Sequence, residues 1–356
     1  MNEERVRQIV RNFPENGLKQ VLTTAGNVRD LLALAKAEVL PRLDFAAMQV
    51  DPTTYVTAEY RNVTSDLLLT LPLLPARKGG RRRRLMLSIL IELQMQPDRI
   101  MLLRVLEYLV QIWKHQVKQH GDQHKSLASV KLTPILPVVL HTGSYSWDRM
   151  GTLLDLMDDA EMFRAFTPAF APLFVSLPDK DETELETDGG FLGQVLALIR
   201  ARPASRTAFA ERLDRTVTRV QELPDAERLR RRELLCYVEG VVYHWRGENE
   251  HPLLRERIDA ALKDDEDRLE MAMVRKTMAQ AEAERYTRAA TLTATLAERK
   301  RTLVNQLKLR FAPLPSEIEQ TVESTQDADQ LAQWLDRFAT ADDLDSIGIL
   351  PRRRAT

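Results

Sequence analysis

The chain has 356 residues, 44% of them hydrophobic and 29% charged, a balance too apolar for a disordered polymer and a length that fits one large domain or two ordinary ones. Its 13 glycines and 17 prolines exclude a collagen-like repeat, and the single cysteine, Cys236, excludes an internal disulfide framework or a cysteine-cluster metal site. The 51 Lys and Arg nearly balance 52 Asp and Glu, so the net charge of −1 is silent on nucleic acid, and only the placement of the charges can speak to it.

From about Asn2 to Leu40 the pattern is helical, broken at Phe13-Pro14-Glu15-Asn16-Gly17 and ended by Leu40-Pro41. The period then changes. Met48-Gln49-Val50 and Tyr55-Val56-Thr57 are short strand candidates, and Ser65 to Leu73 is a longer one. Leu85 to Met95 is a near-continuous apolar strand, joined to the previous one through the basic turn Arg77-Lys78-Gly79-Gly80-Arg81-Arg82-Arg83-Arg84. The two read as a hairpin whose second strand is buried on both faces, as in a helix-covered sheet. Leu102, Val105, Leu106, Leu109 and Trp113 follow helical spacing. Ile135 to Leu140 is another buried strand, closed by His141-Thr142-Gly143, and Leu173-Phe174-Val175 adds one more. Beyond Phe191 the chain reads as helical, with breaks at Arg200–Arg206 and Leu223-Pro224 and a long charged arm from Arg255 to Leu309 that faces solvent or self-associates. The most apolar stretch is about half the length of a membrane-crossing helix and contains Glu92. With no basic-then-apolar leader in MNEERVRQIV, a cytoplasmic location is the expectation.

Glu92 and Gln94 need an explanation, because a carboxylate within an apolar strand is costly unless paired, protonated or bound to metal. Side chains alternate along a strand, so both project from one face. Asp66 opens the preceding strand, and hairpin pairing would bring it near that face. Two carboxylates and an amide converging at a sheet edge form an oxygen-rich site suited to Mg²⁺ or Mn²⁺.

Four blocks in order resemble one family. They are Asn12-Phe13-Pro14-Glu15-Asn16; Ser65-Asp66-Leu67-Leu68; Ile91-Glu92-Leu93-Gln94 continuing through Met101 to Tyr108; and Leu136-Pro137-Val138-Val139-Leu140-His141-Thr142-Gly143 with Trp147. Together they are similar to the Rpn recombination-promoting nucleases, also described as transposases, of the PD-(D/E)XK nuclease superfamily. Residues 299 to 348 resemble a small helical domain often appended to that family, through Leu309-Arg310-Phe311, Leu331, Trp334, Leu335 and Ala341.

The resemblance implies an α/β fold with a restriction-endonuclease-like mixed sheet flanked by helices, followed by a mainly helical C-terminal half. It places a nuclease-like domain over 1–180, a helical extension over 181–298 and a small helical domain over 299–350. It implies Asp66 and Glu92 as metal ligands, the Leu93 carbonyl as a third, and Gln94 where most of the superfamily has lysine. A neutral amide there orients water without offsetting charge, which predicts slower or more conditional cleavage. Arg104 and Tyr108, i and i+4 on one helix face, are expected to contact phosphate, as are Arg81, Arg82, Arg83 and Arg84 beside the catalytic strand. Leu93 and Met95 replace the family's polar residues at the rim, and His141 replaces a tyrosine, without an assigned role.

Each feature also has a plainer account. Asp66 can cap a strand start, Arg104 can pair with Glu107, and the basic run can be a solvated hairpin tip that blocks edge aggregation. His115, His120 and His124 lack the spacing of a closed zinc site, Gly143 to Trp147 lacks the second glycine of a nucleophile elbow, and no phosphate-binding loop supports a nucleotide cofactor. The sequence therefore predicts a Mg²⁺- or Mn²⁺-dependent DNA endonuclease linked to recombination or mobile elements. Cutting both strands with one site per chain favours a homodimer. The alternatives are a catalytically weak nuclease fold that binds nucleic acid or protein, and a scaffold built through the charged helix.

Overall fold

A computed structural model describes residues 3–10, 13–51, 67–75, 83–92, 96–123 and 126–349. Three helices open the chain: α1 (Glu3–Val10), α2 (Glu15–Val21) and α3 (Ala25–Leu34). α2 starts inside the Phe13–Gly17 cluster that the sequence marks as a break. Val28, Leu31, Leu32 and Leu34 make α3 a buried element, on helical spacing.

The sheet follows. Among the described residues it has five strands in chain order: β1 (Gln49–Asp51), β2 (Leu67–Leu73), β3 (Arg83–Glu92), then, after helix α4 (Met101–Asp122), β4 (Ile135–His141), and, after the short α5 (Ala160–Phe163), β5 (Leu173–Ser176). β1, β2 and β3 pair antiparallel, whereas β3–β4 and β4–β5 are parallel. The sheet is mixed, as expected, because α4 and the segment 142–172 return the chain to the same edge before the next strand begins. Tyr55 to Thr57 lies outside the described residues. α4 lays Met101, Val105 and Leu109 on Val139 of β4 and on Trp147.

Helices make up the rest: α6 (Glu182–Thr187), α7 (Gly190–Arg200), α8 (Arg206–Val220), α9 (Arg228–Trp245), α10 (His251–Ala261), α11 (Asp265–Arg310), α12 (Ser316–Ser324), α13 (Ala328–Thr340) and α14 (Leu344–Ile347). The gaps α7/α8 and α8/α9 fall at the breaks the sequence marks. The chain divides into two compact units, Met1–Met278 and Ala279–Thr356.

In the first unit, α7 and α9 share one core with α1 to α3. Arg5 Nε donates to Glu233 at 2.9 Å, and Asp30 accepts from Leu192 N at 3.0 Å and from Arg230. The helices beginning at 182 are thus bound into the same unit as the N-terminal ones. α6 and α7 touch so closely that a Cβ on Gly193 would sit 1.9 Å from the Leu185 carbonyl oxygen, which only glycine permits.

The second unit packs Leu303, Leu307, Val322, Leu331, Trp334 and Ile347 together. α11 is not solvent-facing throughout: Met271, Val274 and Met278 are buried in one unit and Leu303 and Leu307 in the other. Among the described residues no helix is long and apolar enough to cross a membrane.

Candidate active site at the carboxyl edge of the sheet

Parallel pairing brings the carboxyl ends of β3, β4 and β5 to one edge. The ladder sets Glu92 opposite His141, and His141 opposite Ser176. β2 begins at this edge too, with Leu67 opposite Ile89. Crevices beyond the carboxyl ends of parallel strands are where α/β sheets commonly bind ligands. Of the expected site residues, Asp66, Leu93, Gln94, Arg81 and Arg82 lie outside the described residues, and Glu92 is fixed as the last residue of β3.

Arg83 and Arg84 open β3, opposite Leu73 and Pro72, at the other end of the strand from Glu92. Nine residue steps of about 3.3 Å separate the two ends by roughly 30 Å. Their place in β3 therefore does not bring their backbone to Glu92.

Arg104 forms an ion pair with Asp98 at 3.1 Å, rather than with Glu107 as the plainer account has it. Tyr108 is partly buried against the cluster of Met101, Val105, Val139 and Trp147. His120 Nε2 meets the Ser126 carbonyl and Ser129 Oγ, both at 3.1 Å, tying the end of α4 to the next turn. His124 lies outside the described residues.

His141 is fully buried at the edge. Its Nε2 meets the Tyr145 carbonyl oxygen at 3.0 Å, while Nδ1 is buried with no hydrogen-bond partner among the described residues. Burial lowers the imidazole pKa, against the raising effects of the Tyr145 contact and of Asp179, so the ring is neutral near pH 7. A neutral ring whose Nε2–H donates to Tyr145 carries its lone pair on Nδ1. An orphan acceptor in the ladder position beside Glu92 calls for a ligand, an ion or a water.

The loop after His141 is clamped by Asp179. Its carboxylate accepts from Trp147 N at 2.7 Å and from the hydroxyls of Ser146 and Ser176. Burial raises the pKa of Asp179, but these three hydrogen bonds outweigh it and hold the group below the usual carboxylate range. Next to this loop lies a cavity of about 60 Å³, lined by Thr142, Gly143, Ser144, Arg200, Arg202 and Pro203 among others. Arg202 donates to Ser144 Oγ at 2.5 Å, and its guanidinium lies 5.1 Å from the centre of the Trp245 ring.

Sequence reasoning gave no role to His141, Asp179, Ser144 or Arg202. The Leu-Pro-Asp after an apolar strand is a weak signal for Asp179, and nothing local marks Arg202, which sits in a stretch that reads only as a helix break.

Residues 15–231 match the sequence family described as "Putative transposase, YhgA-like". The chain belongs to this family. It is the Rpn/YhgA family of the PD-(D/E)XK superfamily, and the matched residues take in the five described strands of the sheet and the helices from α2 to the start of α9. No curated protein and no solved structure matches the chain.

Proposed function

We propose that this member of the YhgA-like family is a divalent-metal-dependent DNA endonuclease that hydrolyses phosphodiester bonds at the carboxyl edge of the sheet. The observation that carries the reading is the row Glu92–His141–Ser176, in which the one acid of β3 stands beside a buried histidine with an unpartnered acceptor. β2 begins at the same edge, with Leu67 opposite Ile89, three residues before Glu92. Asp66, Glu92 and the Leu93 carbonyl are the residues that would hold Mg²⁺ or Mn²⁺, and the His141 acceptor fits a donor water in the same site.

When bound, such an ion lowers the pKa of water and offsets charge on the phosphoryl oxygens. The chain itself binds and orients. Gln94 positions the attacking water through its amide, and Asp179 holds the loop 142–147 that walls the edge. Arg104 and Tyr108 are proposed to border the DNA, with Asp98 already tempering the charge of Arg104. A second reading, a weakly cutting protein that binds nucleic acid or another protein, draws its support from the neutral Gln94 in the lysine position.

Plasmid nicking decides between them. Supercoiled DNA with Mg²⁺ or Mn²⁺ should be nicked by the wild type and left intact by Asp66→Ala and by Glu92→Ala. Nicking that survives both substitutions, or that no divalent ion elicits, removes the enzyme reading.

A further inference from the structure

We propose that the cavity beyond β4 and β5 is a subsite for a backbone phosphate of the nucleic acid, with Arg202 as its cation and Ser144 as its hydroxyl partner. The assignment of the phosphate to nucleic acid rests on the nuclease reading; the chemistry of the subsite does not.

Arg202 stands apart from the buried and half-buried arginines of the surrounding helices. Arg212, Arg230, Arg246 and Arg255 each meet a carboxylate, at 2.8 Å to Glu182, Glu227, Glu250 and Glu239 respectively. Among the described residues Arg202 meets none. A guanidinium carries five N–H donors, and among the described residues one of them is used, toward Ser144 Oγ. Among the described residues it does not bond the last carbonyls of α7, which an arginine just past a helix end can do. Stacking on Trp245 and half-burial fix its position without neutralising it.

The space it faces suits a small oxyanion. About 60 Å³ exceeds the roughly 10–15 Å³ that one water requires and accommodates a tetrahedral group. A fork of donors with a neighbouring hydroxyl is the pattern that recognises phosphate. The nearby acid, Asp179, already accepts from Ser146, Ser176 and Trp147 and belongs to the loop clamp. That clamp fixes the wall of the cavity before any ligand arrives, which lowers the ordering cost of binding. The cavity begins at Thr142, the residue after the ladder partner of Glu92, so a strand seated there passes the proposed reaction centre.

The test uses the full-length protein. Binding of inorganic phosphate is followed by calorimetry, and binding of a labelled DNA duplex in EDTA by anisotropy over a series of salt concentrations. The variants are Arg202→Gln, Arg202→Lys, Ser144→Ala and a charge-matched control, Arg164→Gln, whose parent residue is exposed and paired with Glu161. Arg202→Gln should abolish phosphate binding, weaken the duplex about tenfold and reduce the salt slope by about one unit. Arg202→Lys, which keeps the charge but not the fork, should fall between. Ser144→Ala should weaken both ligands about threefold with an unchanged melting curve, and it decides the matter if Arg202→Gln fails to fold. The control should bind as wild type.

Equal binding by wild type and Arg202→Gln overturns the proposal, as does an equal loss in the Arg164 control. A loss of phosphate without a loss of duplex overturns the nucleic-acid assignment. Glu92→Ala separates this subsite from the nuclease reading: it should lose nicking and keep both binding activities. A wild type that never nicks, but whose duplex binding depends on Arg202, leaves the subsite standing and removes the enzyme.

Discussion

Asp30 offers a direct measure of how the N-terminal helices are tied to α7 and α9. Its side chain is 14% exposed, accepts from Leu192 N at 3.0 Å and pairs with Arg230. Arg230 is itself 7% exposed, with further bonds to Asn27 Oδ1 and Glu227, both at 2.8 Å. Asp30→Ala leaves a buried amide and a buried guanidinium without that acceptor. An unmet buried donor costs about 1–3 kcal/mol, and breaking a buried ion pair about 3–5 kcal/mol. Because Glu227 remains as a second, more exposed partner, the expected total is about 3 kcal/mol. Burial raises the pKa of Asp30 against the opposing pull of Arg230, so the folded state holds the proton more readily than the unfolded chain does. The stability linked to this preference is full below the ordinary carboxylate pKa and is lost as pH rises through the raised value. Asn, which keeps an acceptor and the shape without the charge, should cost less than Ala at pH 7. Urea unfolding followed by circular dichroism reads both variants, and a double-mutant cycle with Arg230→Met isolates the pair. An Ala variant that loses under about 1 kcal/mol, or an Asn variant that loses as much as Ala, would refute the reasoning.

Gly193→Ala forces its methyl group into the Leu185 carbonyl at 1.9 Å, so α6 and α7 must separate; a loss of about 3 kcal/mol or insoluble expression is expected, and a variant with wild-type urea midpoint would contradict the close approach. Asp179→Ala frees the loop 142–147 and should cost about 1–2 kcal/mol, discounted because water reaches the carboxylate, with a matching gain in amide exchange at Trp147. Since the folded pKa of Asp179 is depressed, its contribution is present above the ordinary carboxylate range and lost as pH falls through the lowered value; a wild-type-minus-variant difference that grew on acidification would reverse the sign.

What could be read from sequence was whatever repeats along the chain. β3 and β4 are near-continuous apolar runs in the sequence, and such runs stand out against helical spacing. The hairpin of β2 and β3 followed from the same contrast. Convergence was not legible. Ser144 and Arg202 meet only because α6 and α7 carry the chain back over the ends of β4 and β5, and no periodicity encodes that return. Of the basic run, Arg83 and Arg84 open β3, and the ten-residue length of that strand sets them at the far edge from Glu92. Nothing in the sequence marks that the helices after Pro178 pack back on the N-terminal ones, yet Asp30 and Glu233 find their arginine partners across that stretch.

The charge balance at the carboxyl edge gives the glutamine a specific consequence. Two acids are proposed there, Arg104 is matched by Asp98, and Arg83 and Arg84 start β3 at the opposite edge, so among the described residues Arg202 is the half-buried cation near the row without a carboxylate. A guanidinium that holds a neighbouring phosphate positions the strand, but it cannot supply charge at the oxygen that develops it, because such donors act over hydrogen-bond distances. Gln94→Lys should therefore raise the nicking rate about tenfold to a hundredfold, within the range attributed to a single transition-state donor. It should do so with duplex affinity in EDTA changed by less than about threefold, since one added phosphate contact is worth more than that only when it is formed in the ground state. Single-turnover nicking beside anisotropy separates the two. A lysine variant that binds DNA more tightly without cutting faster would place position 94 on the DNA path and away from the attacking water, and the catalytic role given to Gln94 would fall.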